Sequence, residues 1–460
     1  MTDPDASTAR EAAAALAPPG RGRLGPGVRV RVRGRSVNLR GIRRPPRGIL
    51  AFLAIVGPGL VTGAAGNDAG GIATYSQVGA ELGYGLLWAL VLSTVSLAVA
   101  QEMAARLGAA TGRGLVDLVR ERFGLGWALL ATGALLVGNG ALTISEFLGI
   151  GAAAELLGMS RLVAVPLAAG LVWFLVVRGA YERTERLFLA MTLVFFAYPV
   201  AAVLAAPAPA DVAAGLVPSI RPSGTWLLLL VGMLGTTLEP YMQVFQQGMV
   251  VEKGLSRQDV SDERIDTYAG AIFSNLMSAF VVVAVAATLY VHGARPLADA
   301  ADAAKALAPA AGRWAEALFA VGLLGASLLS AAVLPLATAY SVTEAFGLPK
   351  GVGLDPRRAP GFFGLFTSLI VVGVVASLIP GLPLITVLVM IQVLNAALMP
   401  LVMGFMLVLI NDRSLVGDLA NGRRSNAVAI ATWLALVGVV VAFVGGQLLA
   451  AVGVGPFAGG

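Results

Sequence analysis

The chain has 460 residues, of which 57% are hydrophobic and only 13% charged, and its mean hydropathy is +0.83. These values exclude an ordinary soluble domain and predict an all-α polytopic membrane protein. Cysteine is absent, which excludes disulfides and thiolate metal sites. The formal charge of +6 follows from membrane topology, as shown below, and does not indicate a nucleic-acid partner.

Residues 1–47 are rich in Arg, Gly, Ala and Pro and contain no apolar core long enough for a signal peptide. We expect a disordered basic cytoplasmic tail. Its arginines from Arg21 to Arg47 can lie against anionic lipid headgroups, although a solvated topology anchor explains them as well.

Eleven apolar stretches are long enough to span a bilayer. They are residues 48–79, 84–106, 126–156, 161–178, 186–206, 224–250, 267–291, 313–345, 360–379, 383–410 and 427–451. The sequence therefore predicts eleven transmembrane helices, with a transporter core at 48–411 and an additional helix at 427–451.

The basic residues predict the orientation, because Lys and Arg collect in short cytoplasmic loops. With the N-terminus inside, the outer segments hold only Arg161, Arg221, Arg295, Lys305 and Arg313. We therefore expect a multi-pass protein of the cell membrane, with a cytoplasmic N-terminus and an extracytoplasmic C-terminus.

Two of the spans are interrupted at mid-bilayer depth by an acid among helix-breaking residues. The first contains Gly66-Asn-Asp68-Ala-Gly-Gly71, and the sixth contains Gly235-Thr-Thr-Leu-Glu239-Pro240. Corresponding breaks five helices apart indicate a 5+5 inverted repeat, with repeat 1 at about 48–206 and repeat 2 at about 224–411, and a binding site where the broken segments meet.

A buried acid beside unwound backbone is typical of an ion site, because the freed carbonyl groups can complete the coordination of a cation. Asp68 and Glu239 with such carbonyls form a hard oxygen site, which favours Mg²⁺, Mn²⁺ or Ca²⁺ over Cu²⁺ or Zn²⁺. The alternative is that both acids only cap half-helices or pair with a basic residue. No Lys or Arg lies in the interior of a predicted span to be that partner.

Three stretches carry a family resemblance: GPGLVTGAAGNDAGG at 57–71, QEMAARLGAATGRGLVDLVRERF at 101–123 and GTTLEPYMQVFQQ at 235–247. They resemble the natural-resistance-associated macrophage protein (Nramp) family of divalent metal transporters. The resemblance covers residues 48–450. It implies a leucine-transporter-type fold, alternating access, and a metal substrate held by the broken first and sixth spans. Neither an enzyme activity nor a cofactor is implied.

Two ligand positions depart from the family. Its first broken span reads Asp-Pro-Gly-Asn, whereas this chain keeps Asp68 but has Gly71 in place of the Asn. In the sixth span Glu239 stands where the family has a Met, so a soft thioether is replaced by a hard carboxylate. The extra volume at Gly71 suits Mg²⁺, which sheds its waters reluctantly.

The proton pathway of the family also has few counterparts. Tyr241 and Gln246 stand at its histidine positions and Thr143 at its Asp position, whereas Glu146 keeps an acid. The ninth span has no charge between residues 361 and 378. This pattern is similar to the Nramp-related magnesium transporter branch and predicts transport of Mg²⁺, with Mn²⁺ accepted, without proton coupling.

Further site residues follow from the resemblance or from helical spacing. Ala65 and Thr236 match carbonyl ligands of the family, and Gln392 matches a Gln that approaches the metal. Thr237 is a candidate ligand or a packing residue. Asn67, Tyr241, Asn395 and Glu146 are candidates for support of the ligands or for gating, and an interhelical hydrogen bond is the alternative for Gln392 and Asn395.

Two other transport functions remain open from the sequence. A proton-coupled Mn²⁺ or Fe²⁺ importer would need Glu146 or Glu239 to replace the missing histidines. An amino-acid carrier of the same superfold is less favoured, because two acids would repel the substrate carboxylate. We expect a monomer whose partners are a divalent metal ion and the lipid bilayer.

Overall fold

The computed structural model describes residues 28–32, 35–39, 62, 66–178, 197–221, 223–305 and 315–451. The chain divides into two compact units, Met1–Ile55 and Val56–Gly460.

The first unit contains a β-hairpin. Strands β1 (Val28–Val32) and β2 (Arg35–Leu39) pair antiparallel, with Val28 opposite Leu39 and Val32 opposite Arg35. The physical reason is the alternation of valine and arginine in β1, since a period of two and β-branched residues favour a strand. These two segments have a paired, extended backbone within the tail that the sequence predicts to be disordered. The rest of the tail lies outside the described residues, so disorder of residues 1–47 stays a prediction.

The described residues of the second unit form helices and their connections. Its helices are α1 (Ala69–Leu82), α2 (Leu87–Thr111), α3 (Leu115–Phe123), α4 (Leu125–Leu156), α5 (Arg161–Arg178), α6 (Ala197–Leu204), α7 (Pro209–Gly215), α8 (Gly224–Thr237), α9 (Pro240–Glu252), α10 (Val260–Thr288), α11 (Ala300–Lys305), α12 (Ala315–Phe346), α13 (Pro360–Ser377), α14 (Leu384–Asn411), α15 (Arg413–Val416) and α16 (Arg423–Ala451). Short 3₁₀ turns at Tyr290–His292 and Gly417–Leu419 complete it.

The long helices match the predicted spans. In the described part of the chain, nine helical segments are long and apolar enough to cross a membrane, with α8 and α9 forming one of them. They coincide with the second to fourth and the sixth to eleventh predicted spans. The first and fifth spans lie partly outside the described residues, which include only α1 and α6 from them, so the count of eleven stays a prediction.

Both predicted helix breaks are present. Thr62 is helical, Gly66 to Asp68 are not, and α1 begins at Ala69. In the sixth span α8 ends at Thr237 and α9 begins at Pro240, with extended backbone at Glu239. Pro240 occupies the first helical position, where its missing amide hydrogen costs no hydrogen bond.

The broken helices lie in the centre of the bundle. Helix α1 packs against α4, α8, α10 and α14, while α4 runs along α12 and α8 runs along α14. The α8–α14 contact is close at Gly235. A β-carbon there would collide with the Gln392 carbonyl oxygen and lie 2.9 Å from the Ala396 amide nitrogen.

A partly buried ion-pair cluster joins α2, α10 and the turn before α16. Glu102 binds Arg106 at 2.8 Å and Arg264 at 2.7 Å. Arg106 also donates to the Leu419 carbonyl oxygen at 2.8 Å. Since its partners stabilise the charge, Glu102 is a structural acid and takes no part in the central site.

The close α8–α14 contact generates a stability prediction. Gly235→Ala should lower the free energy of unfolding by about 1–3 kcal/mol, because the added methyl group overpacks a helix crossing. Thermal unfolding of purified protein in detergent measures this. Gly133→Ala is the matched control, since nothing lies within 4 Å of a β-carbon at that α4 position. Equal melting temperatures for both variants would contradict the packing described here.

Candidate metal site

Asp68 lies at the N-terminus of α1 and is completely buried. One of its carboxylate oxygens, Oδ1, accepts a hydrogen bond from the Gly71 amide. The positive end of the half-helix therefore stabilises the carboxylate. The second oxygen, Oδ2, lies 3.3 Å from Gln392 Nε2, as does Oδ1.

Glu239 occupies the corresponding position at the N-terminus of α9 and is also completely buried. Neither of its carboxylate oxygens forms a hydrogen bond of ordinary length and angle with a described residue, although Asp68, Gln392 and Tyr241 lie close enough to interact with it. An unpartnered carboxylate in the protein interior is costly. A positively charged ligand would therefore stabilise the buried Glu239 carboxylate.

Glu146 brings a third acid to the centre from α4. Its Oε2 accepts a hydrogen bond from the Ala69 amide at 3.2 Å, and its Oε1 accepts one from Ser145 Oγ at 3.0 Å. Asp68, Glu146 and Glu239 lie close enough to interact electrostatically. None of the three forms a salt bridge with a described Lys or Arg.

Three oxygen atoms converge above Gly71. A β-carbon at this residue would lie 2.7 Å from Thr236 Oγ1, 3.0 Å from Asp68 Oδ1 and 3.3 Å from the Gly66 carbonyl oxygen. Because glycine has no β-carbon, these oxygens face a common point. Thr236 Oγ1 has no hydrogen-bond partner in the described structure, so its lone pairs are available to a ligand.

Gln392 reaches the site from α14 across Gly70. Its amide nitrogen contacts Asp68, whereas its Oε1 has no partner among the described residues. A β-carbon at Gly70 would collide with Gln392 Nε2. The two glycines that follow Ala69 thus have different structural roles. Gly70 leaves space for the Gln392 side chain, and Gly71 leaves space for the three converging oxygens.

The two threonines at the end of α8 differ. Thr237 Oγ1 donates to the Met233 carbonyl oxygen at 2.8 Å and lies 3.0 Å from the Tyr75 hydroxyl. These contacts join α8 to α1 and favour the packing role of Thr237, and its role as a ligand stays a prediction. Thr236 alone directs a free hydroxyl toward the acids.

Asn67 links the first break to α10. Its Nδ2 donates to Ser274 Oγ at 3.0 Å and its Oδ1 accepts from Ser278 Oγ at 2.8 Å. It holds the backbone beside Asp68 in place. This geometry is that of a supporting residue.

Tyr241 and Asn395 are also completely buried next to the broken helices. Tyr241 interacts electrostatically with Glu239. Asn395 donates to the Ile391 carbonyl oxygen at 2.9 Å and leaves its Oδ1 without a partner among the described residues. Tyr241 in α9 lies within one helical turn of the predicted ligand Glu239. Asn395 in α14 lies within one turn of the predicted ligand Gln392.

Two contacts were not expected from the sequence. The carbonyl group at the site is that of Gly66, whereas the predicted Ala65 lies outside the described residues. Gln246 accepts a hydrogen bond from Thr62 at 2.8 Å and donates one to Glu263 at 2.9 Å, which joins the first span to α9 and α10. The sequence signal for Gly66 is a glycine two residues before an acid at a helix break.

The candidate donors at the centre are all oxygen atoms. They are the carboxylates of Asp68 and Glu239, the Thr236 hydroxyl and the Gly66 carbonyl, while Gln392 turns its amide nitrogen toward Asp68. Within the described residues, no group of three or more His, Asp or Glu side chains is close enough to hold a metal by itself. A cation here would need the neutral oxygens or its own waters to complete its coordination.

The model of the natural resistance-associated macrophage protein-like family matches residues 59–445 of this chain. Two relatives are named divalent metal cation transporter MntH. That of Deinococcus radiodurans is 32% identical over 302 residues, covering 63% of this chain and 68% of the relative. That of Klebsiella pneumoniae is 28% identical over 402 residues, covering 85% and 93%.

Solved structures share the fold. The manganese transporter of Eremococcus coleocola, in complex with an aromatic bis-isothiourea compound, superposes with a TM-score of 0.69 at 20% identity, covering 90% of this chain and 91% of that one. Mhp1, a nucleobase-cation-symport-1 family transporter, gives 0.52 at 15% identity, covering 84% and 91%. The leucine-transporter-type fold is thereby confirmed. Since the family model spans nearly all of the helical unit, the chain belongs to the Nramp family of membrane transport proteins.

Proposed function

We propose that this protein carries Mg²⁺ across the cell membrane by alternating access, accepts Mn²⁺ as well, and does not couple transport to protons. The broader activity, transport of divalent metal cations, is that of its Nramp relatives. The metal is the substrate, and the protein is not an enzyme.

The observation that carries the proposal is the pair of buried carboxylates with no basic partner. Asp68 and Glu239 face each other at the N-termini of two half-helices. Their combined charge matches a divalent cation, whereas a monovalent ion would leave one carboxylate uncompensated. The oxygen donors around them favour a hard ion.

The space at Gly71 supports a partly hydrated ion. Family members with an Asn at this position place a side chain where this chain has three converging oxygens. Mg²⁺ retains several of its waters when proteins bind it. An open site therefore suits Mg²⁺ better than a site that strips the ion.

The proton pathway lacks its usual groups. Gln246 is engaged with Thr62 and Glu263, and Thr143 donates to the Asn139 carbonyl oxygen at 2.7 Å. Helix α13 contains no charged residue. These side chains cannot carry a proton at physiological pH.

A proton-coupled manganese importer is the second candidate. It is favoured by Glu146, a buried acid that interacts with Asp68 and contacts the start of α1. In that case Glu146 would take up the proton that the missing histidines would otherwise carry.

The orientation and the oligomeric state are part of the proposal. The distribution of Lys and Arg supports a cytoplasmic N-terminus and an extracytoplasmic C-terminus. We further propose that a monomer suffices for transport, since both half-helices and all candidate ligands belong to one chain.

Proteoliposome uptake of Mg²⁺ and Mn²⁺ with an internal pH dye tests the proposed function. Wild-type protein should take up both ions without acidification, and Asp68→Ala should reduce both fluxes at least about 100-fold, since it removes a charged ligand. Asp211→Ala, which removes an exposed acid, is the matched control and should transport like the wild type. Mn²⁺ uptake with acidification and no Mg²⁺ flux would establish the manganese importer instead.

Substitution of the second acid should change selectivity. Glu239→Met restores a soft ligand and removes one charge, so the ratio of Mn²⁺ to Mg²⁺ affinity should rise about 10- to 100-fold. Isothermal titration with each ion measures this. An unchanged ratio would show that Glu239 does not contact the ion, whatever its effect on total flux.

The open space at Gly71 can be tested separately. Gly71→Ala should weaken Mg²⁺ binding about tenfold or more, because the methyl group occupies the point on which three oxygens converge. Gly133→Ala again serves as the control for an added methyl group on an exposed helix face. Wild-type affinity in Gly71→Ala would place the ion elsewhere.

A further inference from the structure

A second group of buried polar side chains lies beside the carboxylates and takes no part in the donor set described above. It consists of four amide residues, Gln101, Asn139, Gln243 and Asn395, each completely buried. Their four oxygen atoms have no hydrogen-bond partner among the described residues, and the two Gln nitrogens also lack one. We name this group the amide layer.

Asn139 and Asn395 are neighbours in space. A β-carbon at Gly138 would lie 3.1 Å from Asn395 Oδ1. Asn139 follows directly on α4, and its Nδ2 donates to Thr338 Oγ1 at 2.9 Å. Asn395 lies three residues beyond Gln392, which is about 4.5 Å along α14. This side of the layer is therefore one helical turn away from the metal site.

Gln243 lies at the same depth on α9. It follows Glu239 by four residues, or about 6 Å. Farther along α9, Gly248 approaches the Tyr340 ring. Tyr340 is two residues from Thr338, the partner of Asn139. Along the axis of α9, Asn139 therefore lies at a level between Glu239 and the end of the helix. Gln243 lies in the same interval.

Gln101 completes the layer from α2. Helices α2 and α9 run in the same direction, because both end near the C-terminus of α12. Val116, at the start of α3 just after α2, donates to Glu344. Glu252, at the end of α9, accepts from Tyr340 at 2.5 Å. A β-carbon at Gly108 would lie 2.9 Å from the Gln247 carbonyl oxygen. Counting back seven residues along both helices puts Gln101 near the level of Pro240, about 5 Å from Gln243 on the side of Glu239, so Gln101 lies where the carboxylates and the other amides adjoin.

Buried amides with unpaired atoms on four helices, from the level of the carboxylates to about one turn beyond them, are costly, because each unsatisfied donor or acceptor loses its hydration without compensation. A hydrated cation removes this cost. Its water molecules donate to the amide oxygens, while the amides themselves carry no charge. Such a layer binds weakly enough for the ion to leave again, which conduction requires.

We propose that the amide layer is a second, transient binding site for the hydrated divalent cation, on the α9 side of Asp68 and Glu239. This inference rests on the proposed function, since it assumes that the chain transports such an ion. The carboxylates hold the ion and the amide layer solvates it as it passes between them and the membrane surface toward which α9 runs.

The test separates the rate of transport from the affinity of the metal site. Gln243→Leu and Asn139→Leu should each lower the maximal rate of Mg²⁺ uptake about tenfold, the factor expected for one lost hydrogen bond to the passing ion. Their Mg²⁺ affinity in isothermal titration should stay within about twofold of the wild type, because Asp68 and Glu239 are unchanged. Gln243→Asn keeps an amide and should restore most of the rate.

Controls distinguish this role from a general effect on folding. Trp226→Phe removes another buried polar atom without a partner among the described residues, the indole nitrogen of α8, and should leave the rate unchanged. Thermal unfolding should show that Gln243→Leu is as stable as the wild type, since it loses an unsatisfied polar group, whereas Asn139→Leu also loses the hydrogen bond to Thr338 and should be less stable by about 1 kcal/mol.

Wild-type rates in both Leu variants would overturn the amide layer, as would a fall in Mg²⁺ affinity equal to the fall in rate. Those outcomes leave the proposed function standing. A wild-type protein that moves neither Mg²⁺ nor Mn²⁺ would instead refute the proposed function itself.

Discussion

The structure depends on the burial of acidic side chains without a basic residue to balance them. Asp68 and Glu239 are completely buried and form no salt bridge with a described Lys or Arg. Two devices lower the cost of this burial. Each acid lies at the positive end of a half-helix, and neutral oxygens nearby leave room for a cation. The helix breaks, the glycines after Asp68 and Pro240 all serve this arrangement.

The surroundings of the site keep the broken segments in register. Asn67 ties the first break to α10, and the Tyr75 hydroxyl ties α1 to Thr237 at the end of α8. Glu146 receives the amide hydrogen of Ala69 from the side of α4. The acids are therefore positioned by contacts from helices far apart in sequence. Polar side chains inside a membrane bundle have this effect because the lipid offers them no alternative partner.

The sequence predicts most of the fold because its strongest signals are physical requirements of the bilayer. Long apolar stretches must be helical there, and an acid among glycines must mark a break, as Asp68 does. Details that depend on packing between distant helices are less accessible. Neither the packing role of the Thr237 hydroxyl nor the contribution of Gly66 follows from local spacing, since both depend on where α1 meets α8. The strand at Val28–Val32 does not follow from the arginine-rich composition of the tail, since its signal is only the local alternation of arginine with valine.

The position of Glu239 also bears on how the protein is made. Synthesis proceeds from the N-terminus, so α8 and α9 reach the bilayer after α1 and α4 but before α14. Glu239 therefore enters the membrane while Gln392 is still absent, and only Asp68 and Glu146, two acids, are already available as neighbours. At that step a proton on Glu239 lowers the cost of its insertion, because the neutral acid loses less hydration than the carboxylate.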